Sequence, residues 1–133
     1  MPKFSKTSLD KLNTCHPDLQ KIFNEVIKHF DCTILCGHRN EEEQNIAYKA
    51  GVSKLKYPKS KHNKTPSLAV DVAPYPIDWG NRRRFYYFAG IVKGVALSIG
   101  IKLRWGGDWD GDNDINDQKF FDLPHWEIKE QNK

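Results

Sequence analysis

The run Leu68-Ala69-Val70-Asp71-Val72-Ala73, closed by Pro74, places the tightest constraint on how this chain folds. Its valines favour a strand, yet a carboxylate stands in its middle. A buried carboxylate without a partner is too costly to keep. Asp71 therefore needs a metal ion, an arginine or a loop N–H. The fold must bring such a group to the centre of this strand. With 133 residues there is room for one domain with a core of its own. Hydrophobic residues at 38% and charged residues at 29% exclude a disordered tail, a collagen-like fibre and a membrane protein.

The other elements follow from period and punctuation. Ser8 or Thr7 is expected to cap a short helix beginning SLDKL. A second helix follows Pro17, with Leu19, Ile22, Phe23, Val26, Ile27 and Phe30 at helical spacing. Residues 33–36 read as a strand stopped by Gly37. Asn40 caps a helix, EEEQNIAYKAG, closed by Gly51. Residues 52–67 form a polar loop. Asn81 caps the longest helix, about 82–99, which Gly100 ends. Residues 101–105 and 125–128 are strands on either side of an acidic loop, 106–122. Helices come first, and the strands are joined by loops of unequal length. That order predicts an α+β fold with a small, mostly antiparallel sheet packed against helices.

Charge is unevenly spread. Residues 1–104 carry 18 Lys and Arg against 9 Asp and Glu, and residues 105–133 carry 3 against 8. A basic body thus precedes an acidic segment. This asymmetry suits nucleic acid, an anionic surface, or a cation site in the acidic part. Cys15, Cys32 and Cys36 are odd in number and suggest no disulfide framework. Free thiols packed as small hydrophobes suit a reducing cytoplasm. The first residues lack a signal peptide's apolar region, and no run approaches the roughly 18 apolar residues of a membrane span.

Two segments hold the candidate chemistry. One runs from Ser60 through His62 to Asp71, and the other is Asp122-Leu123-Pro124-His125-Trp126-Glu127. His62, Asp71 and His125 make a common set of three zinc ligands that leaves a fourth position open. If Pro124 forces a tight bend, Asp122 reaches a water at that position as a general base. The plain alternative is a packing or surface role for each histidine, with Asp71 paired to an arginine or a loop N–H.

These segments resemble the VanY/M15-type zinc peptidases, and most closely the phage endolysins that are L-alanyl-D-glutamate endopeptidases. The S-x-H…A-x-D element matches Ser60, His62, Ala69 and Asp71, and the D-x-P-H-[FW]-E element matches Asp122, Pro124, His125, Trp126 and Glu127. The S-G-[YF]-R strand–turn–helix appears as Cys36-Gly37-His38-Arg39, followed by Asn40 to Gln44. Arg104-Trp105-Gly106-Gly107-Asp108-Trp109 resembles the segment leading into the second metal element. The resemblance implies a single-domain fold of the Hedgehog/DD-peptidase type over residues 1–133, with no separate wall-binding module. It implies that His62, Asp71 and His125 hold zinc and that Asp122 is the general base. Arg39 would face the substrate carbonyl, with Ser60 and Gln44 in support. His38 replaces a Tyr or Phe and is expected to line the site. Cys36 stands where Ser is usual. His62 and Asp71 are nine positions apart, two more than is common in the family.

The function so implied is cleavage of the peptidoglycan stem peptide at L-Ala–D-Glu by a monomeric endolysin. It would be made in the host cytoplasm and reach the periplasmic wall once the membrane is permeabilised. The nearest alternative is a D-Ala–D-Ala carboxypeptidase or dipeptidase of the same family. The alternative of another class is a non-catalytic module binding wall or nucleic acid.

Three further features have two readings each. Asp108, Asp110, Asp112 and Asp114 alternate in a loop that continues to Asn116 and Asp117. The spacing suits Ca²⁺, although Asn113 and Lys119 break the EF-hand pattern; the other reading is a solvated acidic loop. Arg82-Arg83-Arg84 before aromatics offers a nucleic-acid surface. Phe85, Phe88, Val92 and Val95 instead fall at core spacing, so a core face with a basic edge is expected and no nucleic acid. Lys49, Lys54, Lys56, Lys59, Lys61 and Lys64 either attract an anionic envelope or form a solvated face.

Overall fold

A computed structural model describes residues 2–116 and 120–129. Asp117 and Lys119 of the acidic loop lie outside the described residues. Four helices, α1 (Lys6–Leu12), α2 (Pro17–Val26), α3 (Glu41–Lys49) and α4 (Arg82–Ile99), accompany four strands, β1 (Cys32–Cys36), β2 (Ala69–Pro74), β3 (Leu103–Trp105) and β4 (His125–Ile128). The strands form one antiparallel sheet in the order β1-β2-β4-β3. The expected α+β architecture is present. The last strand enters between β2 and β3 and sets the two motif-bearing strands side by side.

Side chains alternate across a sheet, and here the alternation separates core from chemistry. Val70 pairs with Trp126, Trp105 with Trp126, and Ile34 with Val72. All five are buried. On the opposite face Asp71 pairs with His125, and Arg104 with Glu127.

The apolar face is covered by α2 and α4. Leu19, Ile22, Phe23 and Val26 of α2 and Phe85, Phe88, Val92 and Ala96 of α4 are almost wholly inaccessible. Burying each large side chain is worth about 1.5–3 kcal/mol. Phe85 and Phe88 at the start of α4 are therefore core, whereas Tyr87 between them is exposed. At its basic edge Arg84 donates to the carbonyls of Tyr75 and Pro76.

Local signals fix most boundaries. Asn40 and Glu43 form a reciprocal capping box on α3. Gly100 ends α4 in the left-handed region at φ 84°. The first helix differs from expectation. Ser5, not Ser8 or Thr7, is the cap, accepting from the Ser8 N–H. Ser8 is instead buried, and its Oγ accepts from the Ile34 N–H at 3.1 Å, which ties α1 to β1.

The stretch 52–67 is not all loop. Lys61–Asn63 make one 3-10 turn capped by Ser60. The longer His62–Asp71 connection docks on the end of α1, with Ser67 bonded through its backbone to Thr14 and His16. No helix of the described residues is long and apolar enough to cross a membrane.

Candidate active site

A regular strand would put Cys36 on the same face as Ile34. The register slips between them: Ile34 pairs with Val72, but Cys36, not Leu35, pairs with Asp71. A bulge of this kind adds one residue and re-aims the side chains beyond it. Cys36 thereby joins Asp71 on the polar face, and Gly37 and Arg39 continue from it towards the cleft. Cys15 and Cys32 pack in the core as expected, whereas Cys36 is half-exposed and lines the cleft.

The two histidines are held in matching ways. His62 Nδ1 lies 2.7 Å from the Gly37 carbonyl, and its Nε2 lies 3.3 Å from Asp71 Oδ1. His125 Nε2 lies 2.8 Å from Glu127 Oε1, and its Nδ1 lies 3.1 Å from the same Asp71 oxygen. Each ring thus has an acceptor on its outer nitrogen and turns its inner nitrogen to one carboxylate oxygen. A carbonyl or carboxylate on the outer nitrogen is the usual way a metal-binding imidazole is oriented. Without a cation between them, the inner nitrogens and Asp71 need protons to avoid facing each other as acceptors. The electrostatics agree. Burial opposes charge on His62, but hydrogen bonds to Asp71 and Cys36 outweigh it and lift its pKa to about 10. His125 is raised in the same way by Asp71 and Glu127, against its burial. Burial pushes Asp71 up, but the two imidazoles overcome it and hold the carboxylate far below its usual range. A divalent cation would replace those protons, so the donor set fits a metal ion.

Cys36, His62 and Asp71 also bring ligand atoms within 4.8 Å of one another and form a candidate metal group. The Cys36 thiol lies 3.8 Å from His62 Nδ1, the nitrogen that the Gly37 carbonyl already holds.

Supporting residues surround the centre. Arg39 donates to Asp71 Oδ2 at 3.4 Å and to Gln44 Oε1 at 3.3 Å. Gln44 is fully buried and donates onward to Ser53 Oγ and the Leu55 carbonyl. Ser60 accepts from the His62 N–H, and Asn63 donates to Gln44 and to the Arg39 carbonyl. Lys61 and Arg104 converge on Glu127 Oε2 at 3.0 and 2.8 Å. Burial raises Glu127, but hydrogen bonds from His125 and Lys61 bring its pKa down to about 2.

A model of the phage L-alanyl-D-glutamate peptidase family matches residues 1–129. The chain belongs to that family. It is 38% identical over 124 residues to the L-alanyl-D-glutamate peptidase of Escherichia phage T5, covering 87% of this chain and 88% of that protein. Its fold matches the crystal structure of the Serratia marcescens L-Ala D-Glu endopeptidase ChiX with a TM-score of 0.73 at 24% identity, over 96% of this chain and 90% of that one.

Asp122 sits beside this family member's histidines on a turn. The His125 N–H donates to the Asp122 carbonyl at 3.0 Å, the bend that Pro124 suggested. Asp122 and Gly106 pair backbone to backbone at 2.9 Å, so closely that a Cβ on Gly106 would stand 2.0 Å from the Asp122 carbonyl oxygen. Burial first, then the charge of Asp71, raises the Asp122 pKa, partly offset by His125, His62 and Arg39.

Asp122 opens into a cleft of about 520 Å³ that Arg39, Ser60, His62, Asp71 and His125 also line. His38 does not line it. Its backbone N–H donates to Thr14 Oγ1, and its Nδ1 lies 2.9 Å from the Lys64 carbonyl, so the chain turning out of β1 carries the ring away.

Some roles escaped the sequence reading. Glu127, named only within the D-x-P-H-[FW]-E match, orients His125 from the i, i+2 position on the same strand face. Asn63 closes a reciprocal cap with Ser60 inside a stretch that the sequence presents as polar loop. Trp79 and Phe120 line the cleft with no local signal, beside Trp109 of the Arg104–Trp109 segment.

Proposed function

We propose that this protein is a zinc endopeptidase that cuts the L-Ala–D-Glu bond of peptidoglycan stem peptides and serves as a phage endolysin, acting on the wall once the host membrane is breached. The observation that carries the zinc reading is the pair of imidazoles oriented from outside, both aimed at Asp71 Oδ1. His62, Asp71 and His125 would hold the ion. When bound there, zinc supplies a Lewis acid for the scissile carbonyl and makes a water more acidic. Asp122 takes the proton of the attacking water and returns it to the leaving amine, from its place in the cleft beside His62, Asp71 and His125. Two guanidinium nitrogens of Arg39 are engaged at 3.3 and 3.4 Å, and its remaining N–H groups face charge developing on the carbonyl oxygen.

The bond is tested by mass spectrometry of digested, purified peptidoglycan, with metal content measured on the same preparation. One zinc per chain and new amino termini on D-Glu are expected. Release of D-Ala alone would transfer the assignment to a carboxypeptidase, and salt-sensitive binding without metal or product would point to a non-catalytic module.

A second cation reading is favoured by one observation. Asp108, Asp110 and Asp112 bring carboxylate oxygens within 4.8 Å of one another. Asp108 is 2% exposed, and its Oδ1 is buried with no hydrogen-bond partner among the described residues. Its Oδ2 accepts from the Asn113 N–H and lies 3.8 Å from Lys93. A hard cation such as Ca²⁺ would satisfy the orphaned oxygen. Asp110, Asp112 and Asp114 each accept from the N–H two residues on, and the expected fourth ligand Asp114 lies outside the group whose oxygens converge. Asp108 and Asp110 flank Trp109, whose ring lies 5.4 Å from that of His125, so this cation would steady one wall of the cleft. Calorimetric titration should show Ca²⁺ binding at or below millimolar concentration, lost in Asp108→Asn. A flat titration returns the loop to a solvated acidic segment.

A further inference from the structure

Five cations line the cleft: Arg39, Lys54, Lys59, Lys61 and Arg104. Three of them are matched by acids of the site. Arg39 meets Asp71, and Lys61 and Arg104 share Glu127. The other two have no such partner among the described residues. The Lys54 ammonium stands 4.0 Å from the centroid of Phe120, a contact that holds the cation in place without neutralising it. Lys59 is exposed, and its side chain forms no ion pair among the described residues.

Both lysines are carried on backbone that the site itself anchors. Lys54 lies between Ser53 and Leu55, the two residues to which buried Gln44 donates at 2.9 and 2.7 Å. Gln44 is in turn bonded to Arg39. Lys59 immediately precedes Ser60, which caps the turn bearing His62. An aromatic wall connects Lys54 to the centre. Phe120 stacks on Trp109 at 6.1 Å, and Trp109 lies against His125. The result is two positive charges without an ion-pair partner among the described residues, in the cleft that holds the two histidines.

We propose that Lys54 and Lys59 form a carboxylate-recognition subsite for the glutamyl residue of the substrate. This rests on the reading of the cleft as an Ala–Glu endopeptidase site. A glutamyl residue whose nitrogen lies in the scissile bond has two carboxyl groups. At most one continues the chain, so the other is a free carboxylate one to three carbons from that nitrogen. Two lysines without counter-charge are suited to receive it, and charge-assisted hydrogen bonds are the strong kind. A neutral side chain or a carboxamide in that position would leave them unmatched, so the subsite selects the acidic residue over its amide.

The experiment uses two soluble stem peptides, one with the free glutamyl carboxylate and one with the corresponding carboxamide. Wild-type protein is compared with the double variant Lys54→Met, Lys59→Met, which retains the aliphatic stem over Phe120. Lys49→Met, outside the cleft, controls for general charge. With the acidic peptide the double variant should raise KM by about 10- to 100-fold and leave kcat within about twofold. With the carboxamide, wild type and double variant should have the same KM, and Lys49→Met should match wild type on both peptides. Equal weakening on both peptides, or no change on either, overturns the subsite and leaves the peptidase reading standing. Cleavage of neither peptide by wild type overturns the peptidase reading, and the subsite with it.

Discussion

Replacing Asp71 by Asn is expected to lower zinc from one per chain to an undetectable level and to reduce peptidase activity to background. Asp71 Oδ1 is the one atom that both inner imidazole nitrogens approach, and Oδ2 receives Arg39. Removing the charge leaves two imidazoles and a guanidinium without the partner they share, in a mostly buried setting. Breaking a buried pair this way costs on the order of 3–5 kcal/mol, less whatever the imidazoles recover by losing protons. The metal-free variant should therefore melt roughly 10–20 °C lower than the metal-free parent. The sign with pH is fixed by His62, whose folded pKa is raised. Its pairing with Asp71 stabilises fully below the ordinary imidazole pKa and is lost as pH rises towards about 10. The difference in melting temperature should thus narrow in alkaline buffer. A variant that retained one zinc per chain would remove Asp71 from the ligand set.

Asp122→Asn should behave in the opposite way. Zinc content stays at one per chain, and the metal-free variant melts at or above the metal-free parent, because the substitution removes a carboxylate that burial and Asp71 disfavour there. Turnover falls by about 10²- to 10⁴-fold, the usual contribution of a positioned general base. KM changes little, since the isosteric amide occupies the same turn. Steady-state kinetics and metal analysis on one preparation decide the matter. Loss of zinc would recast Asp122 as a ligand, and a kcat within tenfold of wild type would give the proton transfer to another group.

The polar face was legible because it obeys the simplest rule of a sheet. Asp71 in an apolar strand and His125 at the start of another were both expected on strands, and the two motif strands proved to be neighbours. The helix faces were legible for the same reason at period 3.6, from Leu19 to Val26 and from Phe85 to Val92. The features that escaped depended on backbone events with little side-chain signature. The slip at Leu35 carries Cys36 out of the core pattern, and the turn after Gly37 carries His38 away from the cleft. The aromatic wall escaped because Lys54, Trp109 and Phe120 are brought together by tertiary packing, with no motif linking them.

Gly37 has a consequence beyond the strand it ends. Its carbonyl orients His62, while a Cβ on it would stand 2.3 Å from Thr14 Oγ1 and 2.4 Å from the Lys11 carbonyl oxygen. The carbonyl is thus braced from behind by the final turn of α1 and the residues after it, a segment that carries no motif residue. A fragment trimmed to start at the first motif would keep every proposed ligand and lose the abutment that aims one of them. For anyone seeking a minimal lytic module from this chain, the working boundary lies upstream of Ser8, set by mechanical support and not by where the recognisable chemistry begins.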